Sequence, residues 1–230
     1  MIIIRPEVRV PVSELSSDIL RKLERYGRVC YKSESLMEKS DPNHFIQNKL
    51  QLGHESIIEH EKITAMFTVD RGISHEIVRH RIAAYSQEST RYCNYSKDKF
   101  GNEITVIEPF FLIGKPAFEN WQNVCLAAEK NYLEMLAKGC TPQEARSVLP
   151  NSLKTEIVVT YNCREWRHFF NLRCSPTAHP QMRQVTIPLL LEFKKRIPVL
   201  FDDIEWDTEF PTKNYGSIVL TDELFIPLEK

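Results

Sequence analysis

The chain has 230 residues, 42% of them hydrophobic, with 30 basic against 31 acidic side chains and a net charge of −1. That length suits one domain, spanning 1–230, with a substantial core, and the balanced charge counts against non-specific DNA or RNA binding, which needs a basic excess. No apolar run approaches the roughly 18 residues that cross a bilayer, and Met1-Ile2-Ile3-Ile4-Arg5-Pro6 lacks the layout of a secretion signal, so a cytoplasmic protein without membrane contact is expected.

In chain order, Met1 to Pro6 reads as a first strand. Ser16 or Ser17 can cap a helix with Ile19, Leu20, Leu23 and Tyr26 on its apolar side. Asp41-Pro42 offers a cap and a first-turn proline for a second helix through Phe45, Ile46, Lys49 and Leu50, with Gly53 as its stop. Ile63, Ala65, Phe67 and Val69 alternate, which predicts a strand. Ser74 is expected to start a short helix that carries Ile77 and Val78 and delivers Arg79 and Arg81 near its end. Glu103 to Ile107 reads as another strand. A long helix is expected from Pro116 to Lys138, with Phe118, Trp121, Cys125, Ala128, Tyr132 and Met135 inward and Gly139 ending it. Thr141-Pro142-Gln143-Glu144 has the form of a capping box. Ile157, Val159 and Tyr161 alternate as a strand, and Cys163 to Leu172 reads as a helix. A final helix is expected from Pro180 to Leu200, interrupted and kinked at Pro188. The tail from Asp202 is acidic and reads as irregular. With no repeat or linker, the fold class is α+β: a central, mostly antiparallel sheet flanked by long helices.

The seven glycines form neither Gly-x-Gly-x-x-Gly nor a P-loop, so a dinucleotide would be held by a non-Rossmann fold. Six scattered cysteines without a Cys-x-x-Cys pair fit reduced thiols better than a disulfide frame or a zinc site. His75 and His80 are five apart, which splits them across a helix, and no His-Glu-x-x-His is present, so no metal is expected.

Three clusters carry the chemistry. Arg79 to Tyr92 packs three arginines, a histidine, two serines, a glutamine, a glutamate and two tyrosines around one apolar break, Ile82-Ala83-Ala84. Guanidinium forks suit phosphate and carboxylate, and the hydroxyl and amide groups can read a small polar ring. The same composition also suits a solvated surface loop. Upstream, Gly53 to His60 gathers two histidines, two carboxylates and a serine, which alone reads more readily as a capped helix start. The third cluster combines Glu144 to Pro150 with Asn162 to Arg173.

These clusters, in this order and spacing, resemble the flavin-dependent thymidylate synthases. That family is recognised by Arg-His-Arg, seven residues and then Ser, here Arg79, His80, Arg81 and Ser89. The likeness runs from Cys30 to Phe201. It implies FAD as cofactor, with NADPH and 5,10-methylenetetrahydrofolate as co-substrates. The reaction would be methylation of deoxyuridine monophosphate (dUMP) to thymidine monophosphate, in a homotetramer with shared sites. The implied nucleotide contacts are Glu76, Gln87, Glu88, Ser89, Thr90, Arg91, Arg146 and Arg173. The implied flavin contacts are His54, Ser56, Glu59, Arg79, His80, Arg81, Ile82, Asn162, Arg164, His168 and Leu172. The residues tied to the chemistry itself are Arg173, which would polarise a uracil carbonyl, Ser89 as a substrate contact, and His54. Three positions depart from the commonest family residue: Ser56 stands where threonine is also found, Glu76 where glutamine is frequent, and His168 where asparagine also occurs. His179 is carried only by a connection of variable length. Glu144 serves equally as the capping-box partner of Thr141. Two other classes remain at this level: a single-strand or RNA-binding module built on the arginine- and tyrosine-rich stretch, and a hydrolase using Ser89, which would need an adjacent base.

Overall fold

Helix caps and glycine stops set many of the element ends. The computed structural model describes residues 1–223. The strands are β1 (Ile2–Ile4), β2 (Glu7–Val10), β3 (Lys62–Asp70), β4 (Ala83–Gln87), β5 (Thr105–Ile107), β6 (Lys154–Asn162) and β7 (Ser217–Leu220). The α-helices are α1 (Asp18–Val29), α2 (Pro42–Gln51), α3 (Arg71–Ile77), α4 (Ala117–Ala137), α5 (Pro142–Ala145), α6 (Cys163–Arg173), α7 (Pro180–Arg196) and α8 (Pro198–Phe201). The α+β class expected from the sequence is the class observed.

Five strands form a sheet in the order β4-β6-β3-β2-β7, and β1 pairs with β5 in a separate two-stranded sheet. The β1–β5 pair is parallel, with Ile3 opposite Val106. β3 and β6 run antiparallel: the Cys163 N–H donates to the Glu61 carbonyl at 2.8 Å, and the Arg71 N–H donates to the Leu153 carbonyl at 3.1 Å. The strand content is therefore mixed.

Several local expectations hold. Asp41 accepts from the Asn43 N–H at 3.0 Å at the start of α2, and Gly53 adopts φ +74°, the left-handed geometry that closes a helix. Ser16, rather than Ser17, supplies the hydroxyl that accepts at α1, from the Asp18 N–H at 3.2 Å. Glu144 accepts from both the backbone N–H and the hydroxyl of Thr141, each at 2.7 Å.

Other expectations are corrected. α3 begins after Asp70, whose carboxylate accepts from the Ile73 N–H at 2.7 Å. Ser74 lies buried inside that helix, and Arg79 and Arg81 follow its end. α7 runs through Pro188 and stops at Ile197, where Pro198 opens α8. The tail from Asp202 contains β7, at the edge of the five-stranded sheet. Its part beyond residue 223 lies outside the described residues.

The chain divides into two compact units. One comprises residues 1–7, 67–79 and 85–158. Its core gathers Tyr95, Ile104, Val106, Cys125, Tyr132, Ala145 and Leu153. The other comprises 8–66, 80–84 and the described residues from 159. Its core is aromatic. Trp166 lies 5.4 Å from Phe170 and 4.8 Å from Tyr161 between ring centroids, and its indole N–H donates to the Ile63 carbonyl at 2.9 Å. Each such aromatic pair adds about 0.5–1.5 kcal/mol beyond its buried area.

In this second unit α1 hides a charge. Glu24 is fully buried, and Arg28, one turn later, donates through Nε at 2.8 Å. Arg21 adds a bond at 2.9 Å, the Ser40 hydroxyl adds another, and the Arg28 guanidinium lies 4.8 Å from the centroid of Phe45 on α2. Breaking a buried pair by removing one partner costs about 3–5 kcal/mol. Glu24→Ala is expected to lower the unfolding free energy by about 3 kcal/mol in urea titration, with the Arg28 charge left unpaired. A change under about 0.5 kcal/mol, the range of ordinary surface substitutions, would contradict this account.

Candidate active site

In the second unit the site begins with a helix cap. The Asn162 side chain accepts from the Glu165 N–H at 2.8 Å and sets the first turn of α6. Positions three or four apart then share a face, so Glu165, His168 or Phe169, and Leu172 or Arg173 form one stripe. His80 packs against that stripe and is 4% exposed. Its Nδ1 lies 2.9 Å from Glu165 Oε1, and the Nε of Arg173 donates to its Nε2 at 3.2 Å. The ring also contacts Phe169 (5.0 Å), His168 (5.4 Å) and Tyr161 (6.0 Å).

Burial lowers the His80 pKa below its ordinary value. The hydrogen bond to Glu165 opposes the shift, and the Arg173 and His168 charges add to it. His80, Glu165 and His168 bring ligand-type atoms within 4.8 Å of one another. Both His80 nitrogens are nevertheless engaged by protein groups, one of them cationic, so the cluster reads as a hydrogen-bonded line rather than a cation cage.

A cavity of about 580 Å³ opens in the same unit, lined by Glu55, Glu59, Ile82, Asn162, Arg164, Glu165, Arg167, His168 and Asn171. Arg164 bridges Glu59 at 2.6 Å and Glu55 at 3.3 Å. Arg167 holds Asp203 through two bonds, at 2.7 and 2.6 Å, and the Leu200 carbonyl at 2.5 Å, while its buried Nε has no hydrogen-bond partner among the described residues. This pairing holds the Asp203 carboxyl below the usual carboxylate range.

Five of the residues expected to contact flavin line this cavity: Glu59, Ile82, Asn162, Arg164 and His168. His54 is exposed and shares a 3.0 Å hydrogen bond with the Tyr31 hydroxyl. Ser56, Arg81 and Leu172 are exposed, and Arg79, also exposed, belongs to the other unit. Sequence reasoning passed over Glu55, Glu165 and Arg167. The spacing alone, Glu165 eight residues before Arg173 on one helix face and three after a capping asparagine, does not tell a buried glutamate from a solvated one.

The first unit holds the remaining nucleotide candidates. Thr90 and Arg146 line a cavity of about 480 Å³ together with Arg71, His75, Gln143 and Asn151. Arg146 Nη1 reaches the Thr90 hydroxyl at 3.5 Å, and Arg71 Nη1 donates to the Glu88 carbonyl at 3.3 Å. Gln87 turns its amide inward, to Ser74 at 2.9 Å and Thr155 at 3.2 Å. The Glu88 carboxylate accepts from Lys154 and from the Tyr95 hydroxyl, both at 2.9 Å. The Ser89 hydroxyl accepts from the Arg91 N–H at 3.3 Å and among the described residues has no basic partner, so it lacks the base a nucleophile needs. Arg91 is exposed beside the Tyr92 ring, and Glu76 is half-buried. Arg71 and His75 were missed because the helix start was placed at Ser74; started at Asp70, α3 puts them one turn apart on one face. Arg173 belongs to the other unit.

All six cysteines are free. Burial pushes the Cys163 and Cys174 thiols up to about 12, which makes them poor nucleophiles.

The sequence matches a known family. Residues 13–199 fit the family model described as "Thymidylate synthase complementing protein". A flavin-dependent thymidylate synthase of Geobacter sulfurreducens is 36% identical over 184 residues, covering 77% of this chain and 78% of its own length. Those of Pyrococcus furiosus and Corynebacterium aurimucosum are 34% and 31% identical, over 74% and 86% of this chain and 70% and 84% of theirs. The chain belongs to the family of flavin-dependent thymidylate synthases, a family of methyltransferase enzymes. No helix among the described residues is long and apolar enough to cross a membrane.

The buried His80 yields a pH prediction. Its folded pKa lies below the ordinary value of 6.5, so the unfolded chain takes up the proton first as pH falls. The corresponding stability is present above pH 6.5 and is lost as pH falls below it. In an NMR titration the His80 ring, flanked by Glu165, His168, Arg173 and Tyr161, is expected to titrate with a midpoint below 6.5. A midpoint at or above 6.5 would contradict the account.

Proposed function

We propose that this protein is a thymidylate synthase that methylates dUMP at C5. It would take the methylene of 5,10-methylenetetrahydrofolate, use NADPH as reductant and FAD as cofactor, and release tetrahydrofolate. What carries the reading is the family match, which takes in all three polar clusters. We further propose a single functional domain that assembles as a homotetramer with shared sites, in the cytoplasm.

The cavity beside α6 suits a flavin ring. The buried Arg167 Nε makes no hydrogen bond among the described residues, its ion-pair partner Glu55 standing 3.8 Å away, so it keeps a donor for a ligand, and a flavin edge is rich in carbonyl and ring-nitrogen acceptors. Ile82 and His168 offer flat or apolar contact that excludes water from the ring. Three carboxylates, Glu55, Glu59 and Glu165, also line the cavity, so an anionic diphosphate would rely on Arg164 to offset them. When bound, the flavin supplies the hydride, originating in NADPH, that completes the methyl group. His54, Ser56, Arg79, Arg81, Asn162 and Leu172 are the further flavin and folate contacts in this reading.

Arg91, Arg146, Ser89 and Thr90 hold the nucleotide phosphate and its surroundings, with Glu76, Gln87 and Glu88 shaping the pyrimidine pocket. Each charge-assisted bond contributes about 1.5–3 kcal/mol. Arg173 polarises a uracil carbonyl and stabilises charge developing on the ring. The C5 proton leaves as the new carbon–carbon bond is retained, so tritium at C5 is released to water.

Tritium release from C5-labelled dUMP, supplied with the folate and NADPH, is expected to require added FAD in flavin-stripped enzyme. Release that is indifferent to flavin would contradict the proposal. Arg146→Ala is expected to weaken dUMP binding by about tenfold or more, as loss of a charge-assisted bond demands, measured by calorimetry. Unchanged affinity would reduce Arg146 to a surface ion, for which a contribution of about 0–1 kcal/mol is usual.

A further inference from the structure

We propose that Glu165 is a positioning residue for Arg173, acting through the His80 ring. The inference rests on the reading of Arg173 as the arginine that faces the pyrimidine.

A neutral imidazole carries one N–H and one lone pair. An ionised carboxylate can only accept, and a guanidinium can only donate. His80 stands between one of each, with Nδ1 2.9 Å from Glu165 Oε1 and Nε2 3.2 Å from the Arg173 Nε. A single neutral tautomer satisfies both: Nδ1–H donates to Glu165, and the Nε2 lone pair accepts from Arg173. The other tautomer points an N–H at an N–H and a lone pair at a carboxylate.

The ring has little room to escape this assignment. It is 4% exposed and wedged by Tyr161, His168 and Phe169. Glu165 is 8% exposed, and its backbone N–H is held by the Asn162 cap. At the far end the Arg173 carbonyl accepts from the Thr186 hydroxyl at 2.8 Å, which fixes the backbone from which the side chain departs. With Nε engaged, rotation of the planar guanidinium about its stem is restricted, so the edge it presents has a set direction. The line Asn162, Glu165, His80, Arg173 thus converts a helix cap into the aim of a cation.

The test compares wild type with Glu165→Ala, which removes the acceptor, and Glu165→Gln, which retains one. Long-range nitrogen–proton NMR on histidine-labelled protein reads the His80 tautomer directly. The His80 signals are assigned by their loss in His80→Gln. Wild type and Glu165→Gln are expected to show Nδ1–H, and Glu165→Ala a population with Nε2–H. In tritium release, Glu165→Ala is expected to lose about tenfold or more in kcat while the KM for dUMP moves by less than about threefold, the pattern of a lost transition-state interaction. Glu165→Gln should recover most of the rate, which a merely structural role would not distinguish by tautomer.

Wild-type His80 found as Nε2–H overturns the proposal, and that measurement stands even where Glu165→Ala does not fold. So does a folded Glu165→Ala whose kcat stays within about twofold of wild type, a change too small for a transition-state contact. Absence of flavin-dependent release in wild type would instead defeat the proposed function, with the ring-nitrogen assignment still deciding the geometry.

Discussion

A carboxylate taken out of water must find a donor, and Glu165 has the His80 ring nitrogen at 2.9 Å from its Oε1. Its backbone is held by the Asn162 cap and its side chain by His80, which in turn accepts from Arg173. Leaving a buried charge unpartnered costs several kcal/mol, so these contacts are constrained together rather than one at a time. The consequence reaches along the chain. The Arg-His-Arg stretch must bring His80 to α6, and α6 must begin at Asn162 for Glu165 and Arg173 to share a face. The aromatic core beneath, from Tyr161 through Trp166, Phe169 and Phe170 to Phe193, keeps that helix in place.

The same rule recurs elsewhere in each unit. Glu24 on α1 is surrounded by Arg28, Arg21 and Ser40. Glu88, in the other unit, takes Lys154 and the Tyr95 hydroxyl. There the attraction of Glu88 and Glu156 outweighs desolvation and raises the Lys154 pKa. A buried ion pair such as that of Glu24 need not add net stability over an apolar core, but it is costly to break singly.

Much of this architecture was legible in the residues. Alternation at Ile63, Ala65, Phe67 and Val69, and again at Ile157, Val159 and Tyr161, marked β3 and β6, because period-two burial has no helical counterpart. Asp41-Pro42 and Thr141-Pro142 marked helix starts through known cap chemistry. What failed had physical causes. The helix start was placed at Ser74 when Asp70, just past the strand expected through Val69, is the cap of α3, so the face carrying Arg71 and His75 was missed. Pro188 was read as a break, but tertiary packing carries α7 through it, and β7 pairs in a tail whose acidic composition suggested a loop. In the site, the arginine and histidine motif was visible at once. Glu165 was not, because a glutamate in a charged helix ordinarily faces solvent, and only the fold shows it buried.

The account's central claim is that Glu165 and Arg173 work as one unit through His80. A double-mutant cycle on kcat/KM for dUMP, using Glu165→Ala, Arg173→Ala and the pair, tests it most directly. The account predicts a coupling of about 1 kcal/mol or more between the two positions, with the double variant little worse than Arg173→Ala alone. Additivity within about 0.3–0.5 kcal/mol would contradict it, since that is how independent residues behave.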